Sequence, residues 1–305
     1  MPVRRAIAAV SIMTVVCLVS FVYSYSKGAV KDYYSTGPGE MGPTVLEPGK
    51  MTVEVDYQPG YAPHDDALVQ FKSRAENYSG RSVELLKTET AIPTMQNVTI
   101  ENVVSYEKEF RRSPPVDGDR VSIYVIYVGG KFSENSDVLA ATYLSLSIVV
   151  FKSEIVRYAP QGGMCDDIMI VNECKVERSA LVHEFGHVLG LVGLVYASPA
   201  DHEDPQHPSH CTNESCVMHH SIDVYKGGIP RPPPYAFDRD CLDDLNIIRA
   251  SSYGKYYLKD QRFDAVVVII AAAGVSGIAA VVLWDRRRRK ASTIPQVLSG
   301  PATPP

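Results

Sequence analysis

Along the chain, short strand-type patterns come first and longer helical periodicities follow. Val53 and Val55 alternate with charged neighbours over Met51 to Tyr57, the period-two signature of a strand. Ser82 to Thr88 reads as a second strand. Arg120 to Val128 is dense in β-branched and aromatic residues, which predicts a buried strand ended by Gly129 and Gly130. Thr142 to Phe151 alternates well enough for another, and Ile168 to Val171 for a short one. Ala67 to Tyr78 sets Leu68, Phe71 and Ala75 on one helical face, with Asp65 or Asp66 as cap. Ile100 to Phe110 fits either helix or strand. A helix over Val176 to Leu189 stops at Gly190, and Asp201 to Ser209 is a polar loop. Ile229 to Tyr235 is Pro-rich and extended. Asp238 caps a last helix through Ile248, with Leu242, Leu245 and Ile248 on its buried face. Strands first and helices afterwards predict an α+β domain with a mixed β-sheet half and a helical half.

Two apolar runs stand apart from these patterns. Ala6 to Tyr23 follows Arg4 and Arg5, and Ala265 to Trp284 precedes Asp285, Arg286, Arg287, Arg288, Arg289 and Lys290. Each approaches the roughly 20 residues that a helix needs to cross a hydrocarbon core of about 30 Å. The basic clusters would hold both termini in the cytoplasm and the residues between the spans outside the cell. The first run is expected to be an uncleaved anchor, with a signal peptide cleaved near Ser24 or Ser26 as the alternative. The expected division is 1–26 start and anchor, 27–49 stalk, 50–252 extracellular domain, 253–264 linker, 265–284 transmembrane helix and 285–305 basic tail. Sequons at Asn77, Asn97 and Asn213 fit an external domain.

Composition narrows the class only modestly. A hydrophobic share of 45% with 21% charged residues excludes global disorder, and a net charge of -5 gives no footing for nucleic acid.

The chemistry lies in His183-Glu184-Phe185-Gly186-His187. On a helix, positions i and i+4 share a face, so two imidazoles there can hold one zinc ion. The Glu after the first His then reaches a metal-bound water as general base. Ala180, Leu181, Val188, Leu189 and Leu191 supply the buried face that such a helix requires. Zinc needs a third protein ligand and an open position for water. The loop downstream offers Asp201, His202, Glu203, Asp204, His207 and His210 for that place.

Gly190 continues the motif, and here the chain resembles the metzincin clan of zinc peptidases, which read His-Glu-x-x-His-x-x-Gly-x-x-His and later carry a Met-turn. The sequence departs from that pattern at Gly193, where the third histidine is expected. After an insertion, His210-Cys211-Thr212-Asn213-Glu214-Ser215-Cys216-Val217-Met218 is similar to the archaemetzincin continuation. The resemblance, which covers about Val176 to Leu245, implies a metzincin-like catalytic domain with His210 as third zinc ligand and Met218 as the Met-turn. His202 and His207 remain rivals for the third place. The resemblance also implies a second, structural zinc at Cys211, Cys216 and Cys241, with Asp238 standing where the family has a fourth cysteine. A disulfide involving Cys216 is the competing expectation. His219, His220 and Tyr225 are candidates to assist an oxyanion.

Cys165 and Cys174 are spaced for a short-loop disulfide, while Cys17 lies in the first apolar run. The functional expectation is a membrane-anchored extracellular zinc metallopeptidase that hydrolyses protein or peptide substrates. The alternatives are a catalytically silent zinc-stabilised binding domain, which has no use for Glu184, and a zinc hydrolase of non-peptide amides or esters.

Overall fold

A computed structural model describes residues 33–252, except 160, 169–170, 195, 197, 199, 223 and 227–228. After a 3-10 turn at Tyr33–Ser35 come α1 (Gly42–Val45), β1 (Lys50–Tyr57), α2 (Asp65–Ser79), β2 (Ser82–Glu89) and α3 (Ile100–Phe110). β3 (Arg120–Val128), β4 (Ala140–Leu144), β5 (Ser147–Phe151), α4 (Lys152–Tyr158), α5 (Glu173–Leu189) and α6 (Arg239–Ser252) complete the main elements.

The main sheet runs β2-β1-β3-β5-β4, with the short strand Val116–Asp117 antiparallel to β3. Pairing is parallel throughout β2-β1-β3-β5, and the edge strand β4 runs antiparallel to β5. Parallel neighbours need a crossover, and α2 supplies one between β1 and β2. Helices therefore interleave with strands, and the expected order of sheet first and helices later is corrected to a mixed α/β arrangement rich in parallel pairing. Ile100–Phe110 resolves to helix because Thr99 and Asn102 form a capping box at its start.

Both faces of the sheet are covered, which explains why β3 and β5 are buried almost throughout. Ile123, Val125 and Tyr127 of β3 join Phe71 of α2 and Phe185 of α5 in one core. Tyr124, Ile126 and Val128 face the other way, with Val103 and Tyr106 of α3.

Other sequence expectations shift locally. Thr142 to Phe151 is a hairpin of two strands rather than one. Ile168 and Val171, the two ends of the expected short strand, sit in bends, and Ile168 is 95% exposed. His64 rather than Asp65 or Asp66 takes the N-cap position of α2. On α6, Leu245 and Ile248 are buried while Leu242 is exposed. Val45 and Leu46, at the end of the segment read as a stalk, are buried in the core. The buried Arg81 guanidinium ties that segment down by donating to the carbonyls of Thr44, Val45, Lys50 and Asp119. Cys165 and Cys174 form the expected disulfide.

The expected membrane spans, 6–23 and 265–284, lie outside the described residues. No helix among the described residues is long and apolar enough to cross a membrane. The longest, α5, has 17 residues and buries Lys175, Glu177 and Arg178; at 1.5 Å per residue it reaches only about 26 Å. The two-span topology is therefore withdrawn, together with the external placement and cytoplasmic termini that were read from it.

Candidate metal centre

Helix α5 carries the centre of the site, and buried polar contacts fix its position. Asn172 caps its start by accepting from Lys175 N–H, and Gly190 ends it in the left-handed conformation. Glu177, fully buried on α5, accepts from the Tyr127 hydroxyl at 3.0 Å and the His64 N–H at 2.9 Å, and pairs with Lys152. The sheet, the start of α2 and α4 thus all grip the helix from one side.

Further along, α5 presents His183, Glu184 and His187 to a cleft of about 710 Å³. His210 comes to the same place from the loop beyond the helix. The three imidazole centroids lie 4.8, 5.0 and 5.2 Å apart. His183 Nδ1 bonds the Val217 carbonyl at 2.7 Å and His210 Nδ1 bonds that of Pro208 at 3.0 Å. Those bonds place the proton on Nδ1 and leave each Nε2 as a free acceptor. His183 and His187 Nε2 are 3.1 Å apart, close to the roughly 3.3 Å edge of a tetrahedron with zinc–nitrogen bonds of 2.0–2.1 Å. The donor set therefore fits zinc. His202 and His207, the rivals for the third place, are engaged elsewhere.

Burial lowers the pKa of all three histidines, and their mutual repulsion adds to the effect at His187 and His210. The rings are neutral near pH 7, which is the ligating form. Burial also raises Glu184 to about 7, against the opposing pull of its hydrogen bonds with Thr142. The Thr142 hydroxyl lies 2.8 Å from Glu184 Oε2 and 2.9 Å from the Glu184 carbonyl. Thr142 was not legible as a site residue, because nothing local in the sequence marks a threonine on an edge strand.

Met218 lies beneath the helix, fully buried. A Cβ at Gly186 would fall 2.1 Å from its sulfur, so the helix meets this turn only where it has no side chain. Cys211 N–H donates to the Met218 carbonyl at 2.8 Å, joining the turn to the loop that carries His210.

A second group gathers behind the first. His202, Cys211, Asp238 and Cys241 have ligand atoms within 4.8 Å of one another, and Cys216 Sγ is 3.6 Å from Cys241 Sγ. The three thiols are free and buried, so the expected disulfide at Cys216 does not form. Hydrogen bonds from the Cys211 and Cys241 thiols hold the Cys216 pKa well below the usual thiol range. Sequence reasoning put Asp238 here as fourth donor, but Asp238 already accepts from Cys241 N–H and Asn213. His202, with Nδ1 3.5 Å from Cys211 Sγ, completes a Cys/His set. Its Nε2 is oriented by the buried Asp244 at 2.8 Å.

The remaining predicted residues lie around the rim. Glu203 accepts from Ser209 N–H, and Asp201 is exposed. His219 Nδ1 contacts Ser221, His220 reaches the cleft, and the Tyr225 side chain lies outside the described residues.

No family model matches this chain, and no curated protein does. Among solved structures it is similar to an archaemetzincin from Methanopyrus kandleri, whose crystal structure was determined at 1.5 Å resolution. The TM-score is 0.44 with 15% identity, over 65% of this chain and 95% of that one. A likeness of that size carries no argument about activity, which rests on the side chains above.

Proposed function

We propose that this chain is a zinc-dependent peptidase in which His183, His187 and His210 hold a zinc ion and Glu184 acts as general base. Residues 50–252 form the catalytic domain, onto which the preceding segment packs. The observation that carries this reading is the convergence of three neutral imidazoles and one buried carboxylate on a single open cleft. When bound, zinc lowers the pKa of a coordinated water towards 7 and acts as a Lewis acid. Glu184 takes the proton of the attacking water and returns it to the leaving amine. Thr142 fixes the carboxylate through Oε2, leaving Oε1 for that proton. β4 is the sheet edge beside the cleft, so its outward N–H and C=O groups can pair with an extended peptide backbone. A carboxylate buried at this position has no role in a purely structural zinc site, which weighs against the silent binding domain.

A second zinc, held by Cys211, Cys216, Cys241 and His202, is part of the proposal. Its donors form a closed Cys/His set, as structural zinc sites require. It ties the His210 loop to the start of α6.

The test is zinc per molecule, by elemental mass spectrometry, and hydrolysis of a quenched-fluorescent peptide library by the full chain. Glu184→Ala is expected to keep its zinc and lose hydrolysis, whereas His187→Ala and His210→Ala lose hydrolysis and one zinc equivalent. Full activity in Glu184→Ala, or a wild-type chain that takes up no zinc on reconstitution, overturns the reading.

A further inference from the structure

The loop that carries His210 holds a third group of metal-type donors that neither zinc proposal uses. Asp204 Oδ2 lies 2.8 Å from His207 Nδ1 and 3.4 Å from His220 Nδ1. The two rings stack in parallel, with centroids 3.7 Å apart and planes 5° off parallel. All three ligand atoms lie within 4.8 Å of one another.

Backbone bonds hold this arrangement in place. Asp204 N–H donates to the His210 carbonyl at 2.7 Å, His207 N–H to the Asp204 carbonyl at 3.1 Å and His210 N–H to the His207 carbonyl at 3.2 Å. Asp204 and His207 are therefore presented from a fixed frame, while the side chains of all three donors remain 16–43% exposed. Solvent reaches this group, unlike the closed Cys/His group.

We propose that Asp204, His207 and His220 form an exchangeable divalent transition-metal site at the lip of the cleft. Two imidazoles and one carboxylate suit zinc, cobalt, nickel or copper rather than calcium or magnesium, which take oxygen ligands. Parallel stacked rings place an ion outside both ring planes, so one imidazole must turn about χ2 to ligate. A partly exposed side chain can make that turn at little cost. Three protein donors leave water in the remaining positions, which makes the ion exchangeable.

His220 lines the same cleft as His183, Glu184 and His210. An ion at this lip narrows substrate entry, so excess metal slows the hydrolysis proposed above. That consequence rests on the peptidase reading; the site itself does not.

The experiment is titration calorimetry of the full chain, first loaded with zinc and dialysed free of excess, with Zn²⁺ as titrant. One further equivalent is expected. Losing an outer hydrogen-bond partner of a metal ligand weakens affinity about 10–100-fold, so His207→Ala and Asp204→Asn are each expected to cost at least that. Asp204→Asn keeps the shape of the loop, and an unchanged melting temperature verifies its fold. His210→Ala is expected to retain the further equivalent while losing hydrolysis, which separates this site from the peptidase centre. No further equivalent in the wild type, or identical titrations in the wild type and both rim variants, overturns the proposal.

Discussion

The hydroxyl of Thr142, on the edge strand β4, lies 2.8 Å from Oε2 of Glu184, on the helix that also carries His183 and His187. An edge strand and the candidate base are thereby joined by one short bond, at the point where an extended substrate would pair with the strand. The bond restrains the rotation of a buried carboxylate.

Removing that hydroxyl should misplace the base without disturbing the metal. A hydrogen bond to a charged group contributes about 1.5–3 kcal/mol, so Thr142→Val is expected to lower kcat about tenfold or more. KM and zinc content are expected to stay near the wild-type values, measured by steady-state kinetics and elemental analysis. An unchanged kcat removes Thr142 from the positioning of Glu184.

The pair His202 and Asp244 yields a second test. Asp244 is fully buried and also accepts from Ser198, so its carboxylate holds the imaginable rotations of His202 to one. Asp244→Asn is expected to weaken zinc at the proposed Cys/His site about 10–100-fold in competition with a chelator, and to lower the melting temperature when metal is limiting. Equal chelator sensitivity in variant and wild type rejects His202 as the fourth donor.

The lowered pKa values of His183, His187 and His210 set a direction for pH dependence. Protons compete with the metal for Nε2, and a lower pKa means that protonation begins at lower pH. Zinc at this centre is thus expected to survive dialysis at pH 6.0, below the ordinary histidine value of 6.5. The measurement is zinc retained after dialysis at pH 7.5, 6.0 and 5.0. Loss between 7.5 and 6.0 contradicts the buried, neutral state of these rings.

Gly186 tests the contact between helix and turn. Alanine would add about 1 kcal/mol of helix propensity, yet its Cβ would fall 2.1 Å from the Met218 sulfur and 3.1 Å from Phe237. Overpacking of this kind costs about 1–3 kcal/mol. Gly186→Ala is expected to lower the melting temperature, and Met218→Ala in the same chain to restore part of the loss. A stabilised single variant shows that the turn yields without cost.

By itself the sequence determined what is local. The i, i+4 spacing of His183 and His187, with Glu184 between them, follows from the helix repeat, and Gly190 marked the helix end, whereas the start read at Val176 lies at Glu173, capped by Asn172. Likewise, the β-branched and aromatic content of Arg120–Val128 marked a buried strand, and Cys165 and Cys174 stood close enough along the chain to bridge. What joins distant segments was decided only by tertiary structure. Six histidines and carboxylates in one polar loop look alike in sequence; which of them reaches α5 depends on backbone bonds such as Asp204 N–H to the His210 carbonyl. His202 turns to the cysteines because Asp244 lies 42 residues away in sequence and 2.8 Å away in space. Thr142 meets Glu184 because antiparallel pairing with β5 lays β4 along the helix, and strand order is a property of the packed sheet. Local periodicity reports which face of an element is buried, whereas the partner on that face is chosen by the packing of the whole domain.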